Sequence, residues 1–253
     1  MHALVPIQHA IAWRMFKALE ATFWTAEDLF SPVKYEVPEY NVEAAYDFTV
    51  AISAVRAAAL PEKMSALLNN AEYSRFFTYQ AMQENVHVEA ATRVAGRADR
   101  GGALPPIVPL PPTPIFELQP AYQDVYLPIA EYAAVLAGTV AKFDALYSLC
   151  GADYKLRELV HRVATDFDRF YRFALHVCAL AGLGPHATWK AYKEATKPVV
   201  YHIVADTTAP NATNVSDICD AFFIGLSKAR DDVTEGTSDA ILNYSLYSVA
   251  PLN

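Results

Sequence analysis

Residues 96–120 read GRADRGGALPPIVPLPPTPIFELQP, and on both sides of this block apolar residues recur at steps of three and four. Proline lacks an amide hydrogen and collides with the preceding helical turn, so the block cannot be regular helix. It reads as a long loop with polyproline character, an ordered crossover between helices rather than a proline-recognition ligand. The flanks are helical. Ile7, Ile11, Met15, Leu19 and Phe23 stand four apart and put one stripe on the inside of a helix over 7–23. Thr25 followed by Asp28 has the spacing of a helix N-cap and its acidic partner, which predicts a new helix after Trp24. The Ala-rich run 41–60 is helical, and Pro61 ends it while opening the next helix. Residues 62–95 continue as helix in two pieces broken near Asn69 and Asn70. Helical reading resumes over 121–149, 153–182, 186–205 and 213–231, with two glycines and Pro185 marking one boundary. Strand signals are weak and no repeat period emerges. The expectation is a single all-α domain spanning 1–253.

Charge and composition narrow the function classes. The chain carries 20 Lys and Arg against 28 Asp and Glu, a net charge of -8, with no basic run, so it is not built to neutralise a nucleic-acid backbone. With 53% hydrophobic and 19% charged residues, it is not a disordered tail protein. Cys150, Cys178 and Cys219 are too scattered for a disulfide framework or a zinc site, which points to the cytoplasm or another reducing compartment. The first residues lack the pattern of a secretion signal, and no run of apolar residues is long enough for a membrane span. Glycan-acceptor patterns at Asn211, Asn214 and Asn243 are chance matches on this reading.

The chemistry-bearing stretch is Gln83-Glu84-Asn85-Val86-His87-Val88-Glu89. Glu84 and His87 are three apart on a helix and project from one side. A carboxylate and an imidazole so placed can bind a transition metal, although the pair alone is a weak signal that also occurs on helix surfaces.

A second string gives the pair its context. Ala21-Thr22-Phe23-Trp24-Thr25-Ala26-Glu27-Asp28 closes the first helix, and Gln83 to His87 follows in order and at a suitable distance. Together they resemble the small, radical-carrying subunit of class I ribonucleotide reductase, in its eukaryotic and viral forms. A fainter likeness runs to residue 205, including Asp166-Phe167-Asp168-Arg169-Phe170-Tyr171, which looks like the helix of the family's lone carboxylate. The resemblance implies a ferritin-like helical bundle, a dimer or heterodimer, and a C-terminal tail delivered to a large subunit. Here that tail, 244–253, is short but apolar.

The resemblance also implies losses. The first metal-binding carboxylate falls on Ser53, and the lone glutamate on Asp166, with Asp168 as the alternative register. The second Glu-x-x-His falls on Val199 and His202, beside the helix-disturbing Pro198. The radical tyrosine falls on Ala91. Glu84, His87, Asp166 and His202 remain as residual metal ligands, where a di-iron centre in such a bundle uses about six. The expectation is therefore a degenerate di-iron site, with no cofactor or at most one divalent iron or manganese ion, and no catalytic residue. Three functions follow: an assembly or structural subunit paired with a related small subunit or the large subunit, a component recruited to an unrelated complex, or an active reductase subunit with an unusual metal centre.

Overall fold

The computed structural model describes residues 6–30, 36–38, 44–45, 48–49, 52, 71–98 and 127–180. Five helices lie among them: α1 (Pro6–Ala21), α2 (Ala26–Phe30), α3 (Ala71–Ala98), α4 (Leu127–Leu149) and α5 (Tyr154–Leu180). No strand occurs among the described residues, so the architecture is all-α. The expected helices over 186–205 and 213–231, the proline-rich segment beyond residue 98, Ser53, His202 and the C-terminal tail lie outside the described residues.

Each boundary has a local cause. α2 begins at the capping box read from the sequence: Asp28 Oδ2 accepts from the Thr25 amide at 2.6 Å, and the Asp28 amide reaches back to Thr25 Oγ1 at 3.4 Å. The Thr25 amide and, at 2.9 Å, the Thr25 hydroxyl both donate to the carboxylate and hold Asp28 below its ordinary range. Gly151 takes φ 54°, a left-handed conformation that costs a residue without Cβ nothing. Asp153 then caps α5, its Oδ1 accepting from the amides of Lys155 at 3.1 Å and Leu156 at 3.0 Å.

The sequence reading placed the helix end at residue 95, yet α3 runs on through Gly96, Arg97 and Ala98. A lone glycine costs a helix only about 1 kcal/mol. The Arg97 guanidinium stacks over Phe30 at 4.6 Å, so the added turn gains a tertiary contact with α2.

α4 and α5 form an antiparallel hairpin, and α1 and α2 lie across α3. The inner stripe of α3 is Tyr73, Phe76, Phe77, Gln80, Gln83, His87, Ala90, Ala91 and Val94, all buried. The phenylalanines before Glu84 are core: Phe76 and Phe173 stack at 3.5 Å with 6° between ring planes, and Phe77 meets Phe173 edge-on at 5.7 Å. Phe48 joins the same interior against Phe143 at 6.1 Å. Trp24 is buried as expected, but Trp13 is 39% exposed, with Lys17 Nζ 5.0 Å from its ring.

Two outcomes follow from this packing. Phe173→Ala removes the ring that both α3 phenylalanines share and is expected to cost about 3–5 kcal/mol in chemical denaturation, whereas Met82→Gln, on the exposed side of the same helix, should change stability by less than about 0.5 kcal/mol. Cys150 is buried at the α4 terminus, and desolvation with the nearby Asp153 carboxylate pushes its thiol up to about 12. Iodoacetamide at pH 8.5 is expected to spare Cys150 in the folded chain and label it after denaturation, as read by peptide mass spectrometry. Because the folded value is raised, its contribution to stability is present below the unfolded value and is lost as pH rises toward 12.

Candidate functional site

Three parts of the chain converge on one carboxylate. Asp166, in the middle of α5, is 1% exposed. Its Oδ2 accepts from the Trp24 indole Nε1–H at 2.7 Å and lies 2.9 Å from His87 Nε2, while its Oδ1 accepts from Arg169 Nη1 at 3.1 Å. Trp24 belongs to the link between α1 and α2, His87 to α3, and Arg169 to the next turn of α5. A buried carboxylate needs such donors, since an unpaired charge in a low-dielectric interior is expensive.

The ring of Trp24 is fixed on several sides. It stacks on His87 with centroids 5.6 Å apart and 25° between planes, its carbonyl accepts from Gln83 Nε2 at 3.4 Å, and the Arg162 guanidinium lies 5.9 Å from its ring. From α5, Phe167 and Phe170 close over His87 at 5.4 and 6.5 Å. These two are three apart, the spacing that puts both side chains on one side of a helix. Phe143 of α4 stacks on Phe167 at 5.6 Å and 8°. Around the Asp166 and Arg169 pair, the part of α5 that covers His87 is thus aromatic carbon.

Of the residual ligands read from the sequence, the structure brings His87 and Asp166 into direct contact. Glu84 lies one turn before His87 on α3, and its Oε1 accepts from Gln80 Nε2 at 2.8 Å. Two arginines of α5 are counter-charges to its carboxylates: Arg169 to Asp166, and Arg172 to Asp168 at 2.7 Å. Asp168 is half-buried and faces Arg172 rather than His87. In the sequence Trp24 stood only as one letter of the string 21–28, and its N–H proves to serve Asp166. The signal was available, because a buried indole N–H nearly always finds an acceptor. Gln80, Gln83, Phe167 and Phe170 went unread as site residues.

A search of solved structures gives this arrangement its class. Three R2-like ligand-binding oxidase structures superpose with a TM-score of 0.57 at 14–15% identity. The alignments cover 88% of this chain and 93% of the neighbour for one, and 92% and 96% for the other two. No protein-family model matches the chain, and no curated protein matches it significantly. The likeness fixes the fold as a ferritin-like helical bundle.

It also corrects one expectation. The reading of no cofactor, or one divalent ion at most, followed from donors counted in the sequence. The solved bundles of this fold carry two-metal cofactors, Mn/Fe in two of these structures and Fe/Fe in the third. That expectation therefore does not stand, because a donor count over a faint alignment was too thin a basis for excluding a cofactor that the structural neighbours carry. In this chain the described residues alone do not fit a two-metal group. No three His, Cys, Asp or Glu side chains among them gather as a metal-holding set, and a guanidinium already sits on Asp166.

Removing the carboxylate would leave a buried indole N–H and an imidazole without their acceptor. Asp166→Ala is expected to destabilise the chain by about 3–5 kcal/mol, measured by urea unfolding, with the Trp24 fluorescence spectrum shifted as its stacking on His87 loosens. Arg172→Ala, which frees only the half-buried Asp168, should cost about 1 kcal/mol or less.

Proposed function

We propose that this chain is a ribonucleotide reductase small-subunit-like protein that acts in assembly, as a structural subunit paired with a related small subunit or with the large subunit, and not as the radical carrier. The reading joins the two sequence strings, 21–28 and 83–87, to the bundle fold in which they are set. The string residues Trp24 and His87 meet at one buried carboxylate.

The observation that supports the loss of radical chemistry is Ala91. It occupies the position of the radical tyrosine by resemblance, one turn beyond His87, and is 2% exposed on the inner stripe of α3. Its carbonyl accepts from the Thr49 hydroxyl at 3.4 Å. A methyl group has no phenol to oxidise. The reading rests on that missing phenol and not on metal content, because a bundle that holds a cofactor can still serve assembly.

What such a subunit retains is a rigid helical surface. The Asp166 contacts and the phenylalanine packing around it hold α1, α3 and α5 in register, and a fixed backbone presents a partner with a low ordering cost.

The test is purification of the native protein with its partners identified, followed by electron paramagnetic resonance after exposure to Fe(II), Mn(II) and oxygen. Recovery of a reductase large or small subunit, with no tyrosyl radical signal and no deoxyribonucleotide formed by the chain with a large subunit alone, is the expected result. A tyrosyl signal near one spin per chain would overturn the assembly reading. Recovery of an unrelated assembly in its place would favour recruitment to another complex.

A further inference from the structure

Among the described residues the exposed large apolar side chains are Trp13, Met82 and Tyr154. Two of them carry a cover from their own helix: Lys17 Nζ lies 5.0 Å from the Trp13 ring, and Lys155 Nζ 5.5 Å from the Tyr154 ring. The third, Met82, is 48% exposed on the outer side of α3. Arg75, Thr78, Met82, Asn85 and Glu89 are all exposed and recur at steps of four and three, so they form one line along the helix. The Thr78 hydroxyl donates to the Ser74 carbonyl at 2.8 Å and is satisfied within the helix. Tyr79 and Val86, half-buried, border Met82 from one turn before and one turn after. The centre of the line is thus apolar and its two ends are charged, as in a protein interface with an apolar centre and a polar rim.

The charges identify the partner. Arg75 lies seven residues before Met82 and Glu89 seven after, about 10.5 Å to either side along the axis. A two-fold axis through Met82 sets Arg75 of each copy against Glu89 of the other, brings Thr78 opposite Val86, and packs Met82 on itself. A parallel pairing would instead put Arg75 on Arg75 and Glu89 on Glu89, so the signs fix the direction. The two groups are available for this. Arg75 makes no ion pair among the described residues, and Glu89 gives Oε1 to Arg93 while its Oε2 can accept from another donor. We propose that two copies of this chain associate through the outer side of α3, antiparallel and centred on Met82, with reciprocal Arg75 to Glu89 ion pairs at the two ends. One helix face from each copy is a small contact, so the pair is weak and reversible. It needs this chain alone and stands apart from which reductase subunit the chain meets.

Sedimentation equilibrium of the purified full chain tests the pairing, and the unaltered chain is expected to dimerise. Arg75→Glu meets Glu89 with like charge at both ends, as Glu89→Arg meets Arg75, and each should raise the dissociation constant about tenfold or more. Mixed one to one, these two variants are complementary at both ends and should pair again. Met82→Cys under mild oxidation should link two chains through position 82, as read by peptide mass spectrometry, and this arm does not depend on either charge variant folding. A chain that stays monomeric up to about 1 mM, a dimer that either reversal leaves unchanged, a mixture no tighter than its parts, or no link through position 82 would each overturn the proposal.

Discussion

A single carboxylate, buried in the middle of α5, sets the arrangement of the elements around it. Asp166 cannot stay in an apolar interior without donors, and the three it has come from three places in the chain. Trp24 brings the link between α1 and α2, His87 brings α3, and Arg169 brings a counter-charge from α5 itself. Breaking any one strands a charge or an N–H in low dielectric, so the contacts act together as a unit. The hydrophobic core supplies most of the favourable free energy, but it is non-directional. The carboxylate supplies the direction, because its lone pairs accept only from specific places.

The aromatic packing follows from that geometry. With Asp166 pointing at α3, the residues on either side of it along α5, Val163, Phe167, Phe170 and Phe173, face the same interior and are fully buried. They meet Phe76, Phe77 and Phe143 from the other helices. The solved R2-like ligand-binding oxidases share the bundle fold at 14% identity, and a fold of this kind does not by itself fix the residues of its interior. Here phenylalanine rings from α3, α4 and α5 pack around the buried Asp166 and His87, with Gln80 and Gln83 on the α3 side.

Much of the fold was legible in the sequence, because helix periodicity and caps are local signals. The Thr25 and Asp28 box and the α4 and α5 hairpin depend only on neighbours in the chain, and they stand where the spacing put them. The end of α3 was misjudged by three residues, since the Arg97 contact with Phe30 is tertiary and cannot be read from Gly96. The site was legible in part. Glu84 and His87 announce themselves by spacing, and Asp166 by its place in a faint likeness. Its real partner, Trp24, is 142 residues away in the chain, a distance at which no periodicity carries information. The expectation about cofactors failed for a related reason: it counted donors by register, and register is the least secure product of a weak alignment.

The claim that Asp166 organises the bundle is most directly tested by a double-mutant cycle between Trp24 and Asp166, with Trp24→Phe, Asp166→Asn and the pair measured by equilibrium urea unfolding. A hydrogen bond to a buried carboxylate predicts a coupling free energy of about 1.5–3 kcal/mol between the two positions. Effects that add to within about 0.5 kcal/mol would contradict it, and would mean that the indole and the carboxylate lie close together without holding the helices in place.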